Sequence, residues 1–257
     1  MAAGKLYCGT AGWANPPTER NQRSPENSHL QHYAAHFNAV EINSSFYRAH
    51  ARKTYERWSA DTPAGFRFAV KAPRAITHDS CLKHCRRELH QFLQETAGLG
   101  KKLAVILVQT PASLEFDRSV ATRFFKSLTE GFMAVSRPTS SAARIAFEPR
   151  HPSWFEPRAQ ALLSELNVSR VVADPAKCEV AGEPPQSARL IYYRLHGSPR
   201  MYYSAYSEEY LSNLSKQIQT LRKRSKEVWC MFDNTARHAS WGNALYLQHL
   251  LGARRLP

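Results

Sequence analysis

The chain has 257 residues, 43% of them hydrophobic, with 35 Lys and Arg against 21 Asp and Glu for a formal net charge of +14. That apolar content supports a sizeable core and argues against wholesale disorder, while no apolar run approaches the roughly 18 residues that would suggest a membrane span, and Met1–Lys5 lacks the apolar region of a secretory signal. A cytoplasmic protein that draws anionic ligands or phosphate polymers is the expectation, although the charge gathers only in small knots (Lys83–Arg87, Arg222–Lys226, Arg254-Arg255) and is equally a solvated basic surface.

In chain order, Leu6–Gly9 reads as a first strand, followed by a polar Asn- and Pro-bearing loop through Pro16-Pro17 to Ser28. A helix over Leu30–Phe37 leads to a second strand at Ala39–Asn43, and Thr54–Ala60 is helical until the turn residues Thr62-Pro63-Ala64-Gly65. Phe66–Lys71 is a third strand, Leu82–Ala97 a helix closed by Gly98, and Leu103–Gln109 a fourth strand stopped by Pro111. Val120, Phe124, Phe125 and Leu128 repeat at helical spacing within Asp117–Thr129. Arg144–Glu148 is a fifth strand, Trp154–Leu166 a helix, and Val171–Asp174 a sixth strand. Pro175–Ala188 then reads as loop, Leu190–His196 as a seventh strand, Glu208–Ser225 as a long amphipathic helix, Val228–Asp233 as an eighth strand and Trp241–Leu251 as a closing helix.

Short apolar runs that end on a charged or amide side chain describe parallel strands covered by helices on both faces. Eight of them in about 250 residues predict a single (β/α)8 TIM barrel over residues 1–257, its helix between strands six and seven reduced or absent. In that fold the C-terminal strand ends form one mouth, where scattered polar residues converge.

Glu41 and Asn43 are two apart and would enter the mouth from one strand face. The Glu is a candidate acid or base, or the structural partner of Lys71 on the next strand. Lys71, with His78 in the following loop, suits a phosphate or carboxylate, and Gln109 closes strand four. Glu148, Arg150, His151 and Trp154 bring a carboxylate, a guanidinium, an imidazole and an indole together after strand five; Arg grips phosphate in bidentate fashion and Trp offers a stacking face. Arg194 and His196 share a strand face before Gly197, whose backbone could approach an oxyanion. Tyr206 follows and could stack on or hydrogen-bond a ligand, or belong to a lid packing on itself, and Asp233 and Asn234 close strand eight, with Asn243 a candidate cap for the last helix. Trp13 and Trp154 would narrow the opening.

Cys81 and Cys85 share a predicted helix face near His84, but one close pair falls short of a zinc site, and the five cysteines read as reduced thiols. No HExxH or comparable pair fixes two ligands on one element. Candidate ligands at the mouth (Glu41, His78, Glu148, His151, Asp174, His196, Asp233) share it with Lys71, Arg150 and Arg194, which repel cations. No metal site is therefore assigned and no cofactor expected, with room left for one divalent ion. The absence of a Gly-rich phosphate loop argues against a dinucleotide cradle.

The segments Gly9-Thr10-Ala11-Gly12-Trp13, Phe37–Tyr47, Phe66–Lys71 through Thr77-His78, Glu148–Trp154, Tyr193–Gly197, and Phe232–Thr235 with Asn243-Ala244 resemble the YecE-like family over nearly the whole chain. The resemblance implies a TIM-barrel domain of unknown biochemical function. Its barrel is similar to that of the endonuclease-IV and sugar-isomerase group, which suggests phosphodiester chemistry by analogy. The first loop departs from the family by reading Asn15-Pro16-Pro17-Thr18-Glu19-Arg20, without further aromatics.

The expected function is binding of a phosphate-bearing ligand at the mouth, nucleic acid or nucleotide favoured, with phosphoester hydrolysis as an open chemistry. Lys71, Arg150 and Arg194 would hold the phosphate, Glu41 or Glu148 would be the base and His196 the acid, with Asp233 either orienting His196 or accepting a proton. The alternatives are a sugar or sugar-phosphate enzyme working by proton transfer, and a non-catalytic binding protein. The last is favoured if the mouth carboxylates are saturated by salt bridges. Gln109 and Arg194–His196 where a common class of barrel glycosidase carries its acids argue against glycoside hydrolysis.

Overall fold

Short parallel strands alternate with helices along the chain. A computed structural model describes residues 3–20, 24–135, 144–185, 188–224 and 226–252, the side chain of Arg20 excepted. The strands are β1 (Leu6–Thr10), β2 (Ala39–Ile42), β3 (Arg67–Lys71), β4 (Leu103–Gln109), β5 (Ile145–Glu148), β6 (Val168–Arg170), β7 (Val172–Asp174), β8 (Leu190–Leu195) and β9 (Glu227–Phe232). The helices are α1 (Pro17–Arg20), α2 (His29–Ala34), α3 (Ser44–Tyr47), α4 (Arg52–Ala60), α5 (Arg86–Thr96), α6 (Arg118–Val135), α7 (Pro157–Glu165), α8 (Glu179–Gly182), α9 (Glu208–Lys223) and α10 (Ala239–Leu250).

The strands form two parallel sheets, β1-β9-β8-β7 and β2-β3-β4-β5-β6. At one seam Ala11 bridges Glu41 and the Gly12 N–H donates to the Glu41 carbonyl at 2.8 Å. At the other, β6 and β7 are separated only by Val171, whose N–H donates to the Phe147 carbonyl. The result is a TIM-barrel-like α/β fold.

Period-two alternation divides the apolar side chains into two cores. The larger lies between strands and helices and includes Cys8, Val40, Phe68, Ile106, Phe147, Tyr193 and Phe232. The smaller faces the other way and comprises mostly Ala39, Ala69, Val105, Leu107, Ala146, Tyr192, Trp229, Met231 and their neighbours. Two residues on along six of those strands stand Glu41, Lys71, Gln109, Glu148, Arg194 and Asp233. The inner apolar layers are therefore capped by a polar layer at the C-terminal strand ends, which positions the site.

Several local expectations change. The predicted sixth strand is preceded by β6, which Ser169 and Arg170 disguise. Both are buried, with the Ser169 hydroxyl donating to the Leu190 carbonyl and Arg170 to Gln160 Oε1 and to the carbonyls of Val171, Ala181 and Glu183. Between β7 and β8 the described residues make only the single turn of α8. The helix expected from Leu82 starts at Arg86, because Cys81, Leu82 and His84 adopt left-handed φ values of 47°, 65° and 50°. Cys81 and Cys85 thus share no helix face. The polar loop to Ser28 contains α1, and α2 opens with a capping box in which Ser28 and Gln31 satisfy each other's backbone N–H. Ser225 and the Arg254-Arg255 knot lie outside the described residues. No described helix is long and apolar enough to cross a membrane.

Candidate functional site

Arg194, at the end of β8, is fully buried and organises the polar layer. Its Nε and one terminal nitrogen donate to Glu41 Oε2 and Oε1 at 3.0 and 2.6 Å, a bidentate pair. The other terminal nitrogen donates to Glu148 Oε2 at 2.6 Å, and the first also reaches Asp233 Oδ2 at 3.0 Å. Tyr192, one inward step below Arg194, donates its hydroxyl to Glu41 Oε2 at 2.8 Å. Burial opposes the charge on Arg194, and Glu41, Glu148 and Asp233 overcome it, holding the guanidinium well above its ordinary pKa. Such a buried pair is costly to break, because removing one partner strands the others without water.

His196 closes the cluster, with Nδ1 at 3.0 Å from Asp233 Oδ2 and Nε2 at 3.0 Å from Glu148 Oε1. Arg150 also meets Glu148 Oε1, at 2.5 Å, and its guanidinium lies 3.2 Å from His196 Nε2. Burial would lower the imidazole pKa, but the two carboxylates outweigh it and raise the pKa above 6.5. Burial likewise pushes Glu148 and Asp233 upward, yet Arg194 and His196 carry both below their ordinary values, with Arg150 adding to the effect on Glu148. Three carboxylates are thus buried and hydrogen-bonded within one network. This corrects one expectation: Glu41 pairs with Arg194 and not with Lys71, while Arg194, Glu148 and His196 are engaged with one another.

The opposite side of the layer is bare. Lys71 is buried to 8% exposure, yet among the described residues its Nζ makes no salt bridge or hydrogen bond; it sits 4.2 Å from the centroid of the Phe46 ring. Burial, reinforced by Arg194 and only partly offset by Glu41, Glu148 and Asp233, lowers its pKa to about 8. α3 is held over it by Ser45, whose hydroxyl donates to the Lys71 carbonyl at 2.7 Å. Beside it, Asn43 Oδ1 is buried without a hydrogen-bond partner, and Gln109 makes no side-chain hydrogen bond among the described residues. Asn43 lies just beyond β2 in helical conformation (φ −94°, ψ −20°), so its placement follows from the start of α3 and not from strand alternation. Thr110, just past β4, also buries a hydroxyl without a partner.

The remaining candidates divide similarly. His78 stands on a π-helical turn (Ala75–Asp79), its ring edge-on to Phe46 at 5.0 Å, with burial and then Lys71 lowering its pKa. Trp13 is half-buried against Trp58 at 5.0 Å. Trp154 is a core residue: 1% exposed, packed on Phe116 and Phe147, its indole N–H donating to the Leu114 carbonyl. His151 caps the adjacent turn by accepting from the Ser153 N–H. Tyr206 is a fastener, donating to Asp174 Oδ1 and accepting the Gly197 N–H, both at 2.8 Å. The Gly197 N–H is therefore unavailable to an oxyanion; the glycine is required because its φ is +95° and an added Cβ would lie 2.9 Å from the Ser204 carbonyl oxygen. Asn234 donates to the Ser204 carbonyl and Asn243 Oδ1, and Asn243 ties α10 to Tyr206 instead of capping that helix. Tyr202, at φ 67°, lays its ring edge-on to His196 at 5.8 Å.

Phe46 and Tyr47 were not singled out by the sequence reading. Tyr47 is 81% exposed next to the Phe46–Lys71 pair, a stacking face where Trp154 offers none. Their signal was the Ser44-Ser45-Phe46-Tyr47 tail of the second-strand segment, whose aromatics follow a strand end. A groove of about 300 Å³ between α5 and α6, lined by Leu89, Leu93, Gly131 and Val135 among others, shares no residue with this layer.

Among relatives, UPF0759 protein YecE of Escherichia coli (strain K12) is 27% identical over 190 residues, covering 72% of this chain and 64% of YecE. The match thus spans just under two thirds of that relative's length. UPF0759 protein YunF of Bacillus subtilis (strain 168) is 22% identical across 96% of this chain and 94% of its own. A solved DUF72 family protein from Thermotoga maritima MSB8 superposes with a TM-score of 0.78 at 24% identity, covering 96% of this chain and 99% of that one. A sugar phosphate isomerase/epimerase from Parabacteroides distasonis ATCC 8503 reaches 0.55 at 16% identity over 100% and 97%, a likeness of fold. The family model described as "Protein of unknown function DUF72" matches residues 7–257, and the chain belongs to that family.

Proposed function

We propose that the protein binds a phosphate-bearing ligand at the C-terminal strand ends, held by Lys71 with Arg150 at the rim, on a complete (β/α)8 ring. The observation that carries this reading is the unpaired Lys71 amine. Three carboxylates lie in the same polar layer, yet all are committed to Arg194, Arg150 and His196, which leaves Lys71 without an anion among the described residues. A buried charge without a partner is costly, and a ligand anion would supply that partner. The acceptor of Asn43 and the open amide of Gln109 would meet ligand hydroxyls or base edges. Exposed Tyr47 offers a face for a base, and the net charge of +14 would speed encounter with a nucleotide or nucleic acid.

Glu41 and Glu148 are buried and doubly engaged, so the reading is one of binding, with Lys71 as the cation that holds the phosphate. No cofactor is called for. The pKa of about 8 also favours a second reading, abstraction of a proton from a sugar phosphate, for which an amine poised near neutrality is suited.

The test is fluorescence anisotropy with a short single-stranded oligonucleotide and with a labelled nucleotide, over a salt series. The expected result is binding that weakens with salt and drops at least tenfold in Lys71→Met with folding intact. Absent binding, salt-insensitive binding, or equal binding by Lys71→Met removes the reading.

A further inference from the structure

We propose a second site, independent of the strand-end layer: a zinc-class divalent metal site formed by Glu19 of α1 with His32 and His36 of α2 and its C-terminal turn. Among the described residues these three place one ligand atom each within 4.8 Å of one another. His32 and His36 are four apart, so both imidazoles project from one face of a helical turn. Their Nε2 atoms lie 3.4 and 3.9 Å from the same Glu19 oxygen. Tetrahedral zinc with bonds of roughly 2.0–2.2 Å sets its ligands about 3.3–3.5 Å apart; the Glu19–His32 edge already has that length, and the other edges, none longer than 4.8 Å, close onto it by side-chain rotation.

The tautomer supports a ligand role. His36 Nδ1 lies 3.0 Å from the His32 backbone carbonyl, which can only accept, so the proton resides on Nδ1. This backbone contact is the orienting bond that metal-bound histidines usually make. In the neutral ring the lone pair of His36 Nε2 then faces a carboxylate oxygen. The surroundings are those of a built site: His32 is 8% exposed, and Trp241 packs on both rings, at 6.2 Å from His32 and 5.4 Å from His36, with its own buried indole N–H unpartnered.

Two imidazoles and one carboxylate select zinc, cobalt or nickel over calcium and magnesium, which prefer all-oxygen shells. Three protein ligands leave a fourth position for an exogenous one, the pattern of zinc sites that bind or polarise small molecules. The pairing stands in the sequence as His32-x-x-x-His36, two histidines one helical turn apart.

The experiment titrates zinc alone into chelator-treated protein, against a chromogenic zinc indicator, and repeats the titration with cobalt to read its spectrum. The expected results are one equivalent bound, a rise in Tm, and a cobalt spectrum without the thiolate charge-transfer band that a cysteine site would give. His36→Ala should lower zinc affinity at least tenfold, as should Glu19→Gln, which tests the same site if the histidine variant fails to fold. Lys71→Met should bind zinc like the parent. No stoichiometric binding, a thiolate band, or unchanged affinity in both Glu19→Gln and His36→Ala overturns the proposal.

Discussion

Arg194 and Lys71 are both buried cations ending inner-facing strand positions, and they live in opposite surroundings. Arg194, on the β8–β9 side, gives hydrogen bonds to three carboxylates, and those carboxylates in turn hold His196 and Arg150. Lys71, on the β3 side, faces an aromatic ring and unpartnered amide groups. The first region is a closed network whose members satisfy one another, and it reads as the device that locks β2, β5, β8 and β9 together. The second is incomplete in itself, and incompleteness is what a ligand can relieve. Polar residues at strand ends therefore differ in how far they are already partnered within the fold.

The sharpest way to break this contrast is to remove each cation. Arg194→Met should cost about 3–5 kcal/mol by urea unfolding, because it strands buried carboxylates. A loss below 1 kcal/mol would show that the network does not hold the strands. Lys71→Met should be neutral to stabilising in the same measurement, since it deletes a buried charge without a partner; strong destabilisation would move Lys71 into the structural class.

Stability against pH separates the two regions next. Glu148 and Asp233 have folded values below their ordinary ones, so their contribution is present above the unfolded carboxylate range and is lost as pH falls through the folded values. His196 is raised, so its contribution is full below 6.5 and is lost as pH climbs through its folded pKa. Lys71 acts in the other direction: between about 8 and 10.5 the unfolded chain holds more protons, so stability gains with pH there. In unfolding curves at several pH values, Lys71→Met should abolish that alkaline gain and leave the acid loss intact. A gain that persists in the variant contradicts the assignment.

Smaller effects calibrate the scale. Tyr192→Phe removes one hydrogen bond to Glu41 and should cost about 1–2 kcal/mol, since the acceptor is charged and buried. Arg52→Ala, which breaks an exposed i,i+4 pair with Glu56, should change stability by about 0.3–0.5 kcal/mol. Similar losses in both variants would mean that burial adds nothing to the network.

The sequence alone determined the strand–helix alternation and the polar strand ends, because a strand buried on both faces must be apolar until it emerges. That rule located Glu41, Lys71, Glu148, Arg194 and Asp233 from β2 to β9. It missed β6, since the buried Arg170 looks exposed until its carbonyl and amide partners are brought to it by folding. It also took Trp154 and Tyr206 for ligand contacts, because an aromatic beside a strand end packs inward or outward according to neighbours far along the chain. Which carboxylate meets which cation was decided only by the tertiary structure: Glu41 and Arg194 are separated by 153 residues, and their pairing depends on strand register around the sheets. Local pattern governs whether a group is near the mouth; long-range geometry governs whether it arrives there with its charge already matched.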